Sequence, residues 1–100
     1  MGKPIVHIIG AGLAGLAAAV RLKQAGANIA VHEATVQAGG RCRSYYDATL
    51  GITIDNGNHV ILSGNHAALD YLQLIGGRDC LTSPESAVFP FVDLASKERW

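Results

Sequence analysis

The tightest constraint on the chain lies near its start, where an apolar run, "IVHII" (Ile5–Ile9), meets an Ala-rich stretch across three glycines, Gly10, Gly12 and Gly15. Glycine loses more backbone entropy on folding than any other residue, so three within six positions mark a place where something must come close to the main chain. Pro4 and Gly10 bound the apolar run, and its unbroken apolarity suits a strand buried on both faces, as parallel strands are. From Leu13 to Ala25 the spacing predicts a helix, with Leu13, Leu16 and Val20 on one face, Arg21 and Lys23 toward its end, and Gly26 at the C-terminal cap. A second strand follows over "NIAVHE" (Asn28 to Glu33), with Ile29 and Val31 alternating. Strand, helix and strand in this order predict a right-handed parallel crossover.

Within that unit the glycines spell G-x-G-x-x-G at the strand-to-helix turn, and Glu33 lies 18 residues beyond the last of them. This is the dinucleotide-binding fingerprint in its required context, and it predicts an α/β, Rossmann-like fold. Gly10 permits the tight turn, Gly12 lets a pyrophosphate approach the backbone, and Gly15 lets the helix pack closely on the strand. Ala11, Leu13 and Ala14 complete the turn, and the helix start offers N–H groups and a positive dipole end to the phosphates. Glu33, with Ala34 after it, is placed to accept hydrogen bonds from the adenosine ribose. An acid there disfavours a 2′-phosphate, hence NADP, but the fingerprint alone does not separate NAD from FAD.

Composition limits the other classes. With 49% hydrophobic and 16% charged residues the chain can bury a core, which argues against disorder. Its formal net charge is zero and no block of like charge occurs, so the footprint of a nucleic-acid or anionic-membrane binder is missing. Cys42 and Cys80 stand 38 residues apart without a CxxC, which argues against structural zinc and a disulfide scaffold and suits free thiols in a reducing cytosol. The start of the chain loosely imitates a signal peptide, but Pro4, His7 and the glycines interrupt it, and it falls short of the roughly 20 apolar residues of a membrane span. The N-terminus therefore reads as soluble, without a targeting segment.

The next segment, "EATVQAGGRCRS" (Glu33 to Ser44), carries Glu33-x5-Gly39-Gly40-Arg41 and resembles the second motif of the FAD-dependent amine oxidase and phytoene desaturase superfamily. The resemblance implies FAD as cofactor, with the Gly-Gly turn close to it and Arg41 contacting the pyrophosphate and flavin region; Gly40 and Arg41 inherit those roles. A second backbone turn with a fixed cation also complements a diphosphate that one helix end neutralises only partly. Further on, "ITIDNGNHVIL" gives an alternating strand at Ile52 and Ile54 running into Asp55, and the superfamily's Asp-x-Gly stretch there implies that Gly57, Asn58 and His59 lie near the isoalloxazine. The fuller "DNGNHVILSGNHAALDYLQLIGG" and the later "FPFVDLASKERW" are similar to a narrower group, the squalene-associated FAD-dependent desaturases or hydroxysqualene dehydroxylases of bacterial hopanoid synthesis. Asn58 stands where that group usually has Gln, and the Tyr often seen after the Gly is absent, which leaves the substrate open. The resemblance implies an oxidoreductase that uses reduced FAD to remove a hydroxyl from an apolar isoprenoid, hydroxysqualene, giving squalene. With the free thiols suiting a cytoplasmic protein, such an apolar substrate favours peripheral contact of the full enzyme at the inner membrane. The alternatives are a flavin amine oxidase or carotenoid desaturase and, from another class, a nucleotide-binding module without catalysis.

Around these motifs, "YYDATLG" reads as irregular, and Asn65 to Ile75 as a helix with Ala68, Leu69, Leu72 and Ile75 on one face, capped by Asn65 and ended by Gly76-Gly77. Val88 to Leu94, with Pro90 inside, reads as an edge strand, and "ASKE" as a turn leading to a return strand at Arg99-Trp100. His7 and His32 read as satisfied structural histidines packed against helices, and His66 as exposed. His59 reads as a flavin-site residue or as a turn residue capping a backbone carbonyl, and Cys42 as a small side chain under the cofactor loop. Two parallel strands are too few for a doubly wound sheet. The chain is therefore expected to be the N-terminal part of a larger two-domain flavoprotein, with residues 1–77 its Rossmann-like FAD-binding segment and 78–100 the start of an antiparallel strand region. No catalytic residue and no metal ligand is assigned within it.

Overall fold

A computed structural model describes residues 2–57 and 59–100. The chain divides into two units, Met1–Asn65 and His66–Trp100.

The first unit opens with β1 (Ile5–Ile9), α1 (Leu13–Gln24) and β2 (Asn28–His32), within a residue of the expected bounds. β1 and β2 pair in parallel, Ile5 opposite Asn28 and Ile9 opposite His32, and the ladder runs on as the Gly10 N–H donates to the His32 carbonyl at 2.7 Å. Alternation along a strand turns Val6 and Ile8 to one face and Ile5, His7 and Ile9 to the other. α1 covers the first face: a Cβ added to Gly15 would sit 3.4 Å from the Ile8 Cγ2 methyl. Ala19 of α1 is buried, while on the opposite face Ile9 is 83% exposed.

On that open face His7 and His32 behave differently from the sequence expectation. Both are exposed, and they partner each other, His7 Nδ1 standing 2.9 Å from His32 Nε2 with the rings stacked. Parallel pairing in this register puts the two on the same side of the sheet, the side α1 does not cover.

The stretch expected to be irregular is half of a hairpin. β3 (Ser44–Asp47) pairs antiparallel with β4 (Ile52–Asp55). Two adjacent tyrosines favour a strand, and Asp47 builds the reversal: its carboxylate accepts the N–H groups of Thr49 and Leu50, and its carbonyl accepts that of Gly51.

The second unit contains α2 (His66–Leu74), which ends as the Gly77 N–H donates to the Leu72 carbonyl, and a 3₁₀ turn at Arg78–Cys80. Near its end Phe91 and Trp100 exchange backbone hydrogen bonds and stack their rings, with Val92 bridged to Arg99. The return expected after "ASKE" is thus present, but the strand expected over Val88 to Leu94 shrinks to this bridge. Pro90 has no N–H to give a ladder, and Asp93 turns the chain two residues after the pairing begins. Its carboxylate accepts the N–H groups of Ser96 and Ala95, which hold it below the usual aspartate range.

Candidate functional site

The first unit brings together three stretches that are separate in sequence. Ala11, 4% exposed, is the pivot. Its N–H donates to Glu33 Oε2 at 2.7 Å, and its carbonyl accepts the Gly39 N–H at 2.8 Å. One residue of the first glycine turn thereby holds both the residue following β2 and the Gly-Gly turn. Gly40 lies against the same place, since a Cβ there would come within 3.3 Å of the Gly12 Cα.

Glu33 is fixed by more than Ala11. Its Oε1 accepts both the N–H and the hydroxyl of Thr35, each at 2.9 Å. The Thr35 N–H and then the Ala11 N–H hold the carboxyl below the usual glutamate range, because hydrogen bonds to a carboxylate favour its charged form. A preorganised anion therefore stands beside the glycine turn, with Ala34 between it and Thr35.

The third stretch returns to the second through the β3–β4 hairpin. The Asn56 N–H donates to the Arg43 carbonyl at 2.8 Å, its side-chain amide reaches the Arg41 carbonyl at 3.3 Å, and the Ser44 hydroxyl donates to Asp55. His59 Nε2–H donates to the Asn56 carbonyl at 3.0 Å; that assignment leaves Nδ1 as an acceptor, and it stands 3.8 Å from the Cys42 thiol. The His59 ring thus caps a backbone carbonyl. Asp55, Gly57 and His59 line an open groove together with Ile54 and Val60.

The sequence-derived residues thus fall into two groups. Gly10, Ala11, Gly12, Leu13, Ala14, Gly15, Glu33, Ala34 and Gly40 gather around the start of α1, while Arg41 leads through Cys42 to Gly57 and His59. Asn58 lies outside the described residues. Cys42 is exposed and in contact with His59, a correction to its reading as a tucked side chain.

The start of α1 suits an anionic cofactor. Gly12 caps it at φ −75° and ψ 179°, and among the described residues no side chain bonds its end. Any residue adopts that conformation, and a Cβ on Gly12 would meet nothing within 4 Å. Neither backbone strain nor packing among the described residues therefore calls for glycine at this position, and the N–H groups at the helix start stay open to an anion. Gly15 is the opposite case: a Cβ there would lie 2.0 Å from the Gly10 carbonyl oxygen, so its glycine serves the packing of α1 on β1.

Residues 13–99 match the family of flavin containing amine oxidoreductases. The chain belongs to that family. Because the match begins at Leu13, it is independent of Gly10 and Gly12. Among curated relatives, hydroxysqualene dehydroxylase of Rhodopseudomonas palustris is 60% identical over 95% of this chain, and that of Sinorhizobium fredii 56% identical over the same share. In each case the chain spans 23% of the relative's length. Among solved structures, a putrescine oxidase redesigned in its cofactor binding superposes with a TM-score of 0.62 at 31% identity, over 73% of this chain and 17% of the other. The Rossmann-like α/β class with additional strands is therefore the fold of a solved member of the flavin oxidoreductases, and the cofactor of the family is a flavin. No helix among the described residues is long and apolar enough to cross a membrane.

Sequence reasoning missed Thr35 and the contact of Cys42 with His59. Thr35 had a local signal, a hydroxyl residue two positions after an acid, which can close a side-chain-to-backbone turn. The Cys42–His59 contact had none, because it depends on the hairpin that reverses the chain between them.

Proposed function

We propose that this chain is the FAD-binding part of a flavin-dependent oxidoreductase that removes the hydroxyl of hydroxysqualene to give squalene. The observation that carries the reading is the 56–60% identity to hydroxysqualene dehydroxylases across nearly the whole chain. The junction at Ala11 supports the cofactor.

In this reading residues 1–77 hold FAD. The N–H groups of Gly12, Leu13, Ala14 and Gly15 take the diphosphate at the positive end of α1, with Gly10 and Ala11 shaping the turn. Glu33 accepts from the adenosine ribose, and Ala34 borders the adenosine. Gly40 gives the diphosphate a second close backbone, and Arg41 adds a cation beside the flavin. Gly57, Asn58 and His59 border the flavin ring, His59 holding that segment to Cys42. When held there in its reduced form, FAD would supply the hydride, and the hydroxyl would leave as water with a proton. Residues 78–100 begin the strand region that continues toward the substrate. The substrate is an apolar isoprenoid, which favours a cytoplasmic enzyme working at the face of the inner membrane.

Anaerobic incubation of the reduced full-length protein with hydroxysqualene tests the reading. Flavin reoxidation in step with squalene formation is expected. Reoxidised flavin without squalene, or no reoxidation, would overturn the substrate assignment.

A further inference from the structure

The fingerprint accounts for Glu33 but not for what aims it. A glutamate side chain has three rotatable bonds, and one following a strand end is free to sample many directions, so a ribose site needs its carboxylate held. Ala11 holds one oxygen, Oε2, from the glycine turn. The other oxygen, Oε1, is held by Thr35 through both its N–H and its hydroxyl.

The Thr35 hydroxyl stands between two acceptors, Glu33 Oε1 and the Gln37 carbonyl, each at 2.9 Å. It has one proton to give. An ionised carboxylate is the stronger acceptor and takes it, because charge-assisted hydrogen bonds are roughly twice as strong as neutral ones. The Gln37 carbonyl is the competing acceptor, and the hydroxyl rotor turns to it only when the carboxylate does not take the proton. The backbone N–H of Thr35 survives any substitution other than proline; the hydroxyl is the part of the clamp that residue identity controls.

From this geometry we infer that Thr35 is a positioning residue for the ribose of the FAD adenosine, acting through Glu33. The inference rests on the FAD reading above. Carboxylate oxygens have about four lone-pair sites, and Ala11 with Thr35 occupies part of them on the protein side. What remains is directed by those contacts, so the adenosine ribose meets an acceptor already oriented rather than one ordered on binding.

The test is FAD affinity of the full-length apoprotein, followed by flavin fluorescence quenching, for wild type, Thr35→Val, Thr35→Ser, Glu33→Ala and the Thr35→Val/Glu33→Ala pair. Thr35→Val keeps the shape and removes the hydroxyl, and is expected to weaken FAD by about 3- to 10-fold, as for one lost hydrogen bond to a partly solvated charge. Thr35→Ser restores affinity to within about 2-fold of wild type, and Thr35→Val adds nothing once Glu33 is Ala, because the two act as one unit. Thr35→Ala takes the place of Val should Val disturb the fold by circular dichroism. Wild-type affinity in Thr35→Val, or an equal loss with and without Glu33, would overturn the inference while leaving the FAD reading intact. Wild-type protein that fails to take up FAD would overturn both.

Discussion

Gly12 and Gly15 stand three residues apart in one motif; the structure gives Gly15 a packing duty, the proposed FAD site gives Gly12 a binding one, and alanine substitution separates the two. At Gly15 an added Cβ lies 2.0 Å from the Gly10 carbonyl oxygen and 3.1 Å from its carbon, so α1 must retreat from the β1 turn by about 1.5 Å to reach ordinary contact. Overpacking costs typically about 1–3 kcal/mol, and a clash with backbone, which cannot rotate aside, belongs at the top of that range. Alanine regains about 1 kcal/mol of helix propensity, so the net loss for Gly15→Ala is about 2 kcal/mol. At Gly12 the Cβ meets nothing within 4 Å and φ is −75°, so the only cost is a poorer N-cap, about 0.5–1 kcal/mol. The cofactor reverses the ranking for Gly12→Ala, since a methyl over the helix start keeps the diphosphate from its N–H donors. Losing one or two charge-assisted hydrogen bonds costs about 3 kcal/mol, roughly 100-fold in FAD affinity. Urea denaturation of the full-length apoprotein reads the first effect and FAD titration the second. A Gly12→Ala protein that binds FAD like wild type, or a Gly15→Ala apoprotein as stable as wild type, would refute this division of labour.

Two further outcomes follow from the same geometry. Because the Thr35 and Ala11 donors lower the Glu33 pKa, its share of turn stability is fully present above the ordinary glutamate value of about 4.3 and is lost only as pH falls through a lower folded value. Carbon-13 titration of the Glu33 carboxyl checks this, and a midpoint at or above the ordinary value would contradict it. Cys42 follows the Gly-Gly-Arg turn whereas Cys80 lies in the other unit, and both thiols are free and exposed. FAD should therefore slow alkylation of Cys42 in the full-length protein and leave Cys80 unchanged, as peptide mass mapping would reveal; equal protection of both, or of neither, would count against the placement of the second motif.

Local rules made the parallel unit legible. The mostly apolar run over Ile5–Ile9, the 3.6-residue spacing of Leu13, Leu16 and Val20, and a glycine after each helix placed β1, α1, β2 and α2 to within a residue or two. The misreadings share one cause, dependence on partners distant in sequence. Tyr45 and Tyr46 become strand because Ile54 and Thr53 lie opposite them, and Val88 to Leu94 loses most of its strand because only Arg99 and its neighbours return to pair with it. His7 and His32 were expected against helices, yet register places them together on the face α1 leaves open. At the candidate site the glycines and Glu33 were readable because their spacing is itself the constraint. The bonds that join them through Ala11 were not, since alanine carries no chemical signal beyond its backbone.

The central claim, that these glycines make room for the diphosphate of FAD, is tested most directly by the visible absorption spectrum of the purified full-length protein, with the released cofactor identified by mass. The account predicts flavin absorption bands and FAD in the supernatant after denaturation. A colourless protein that takes up NAD and not FAD would contradict it.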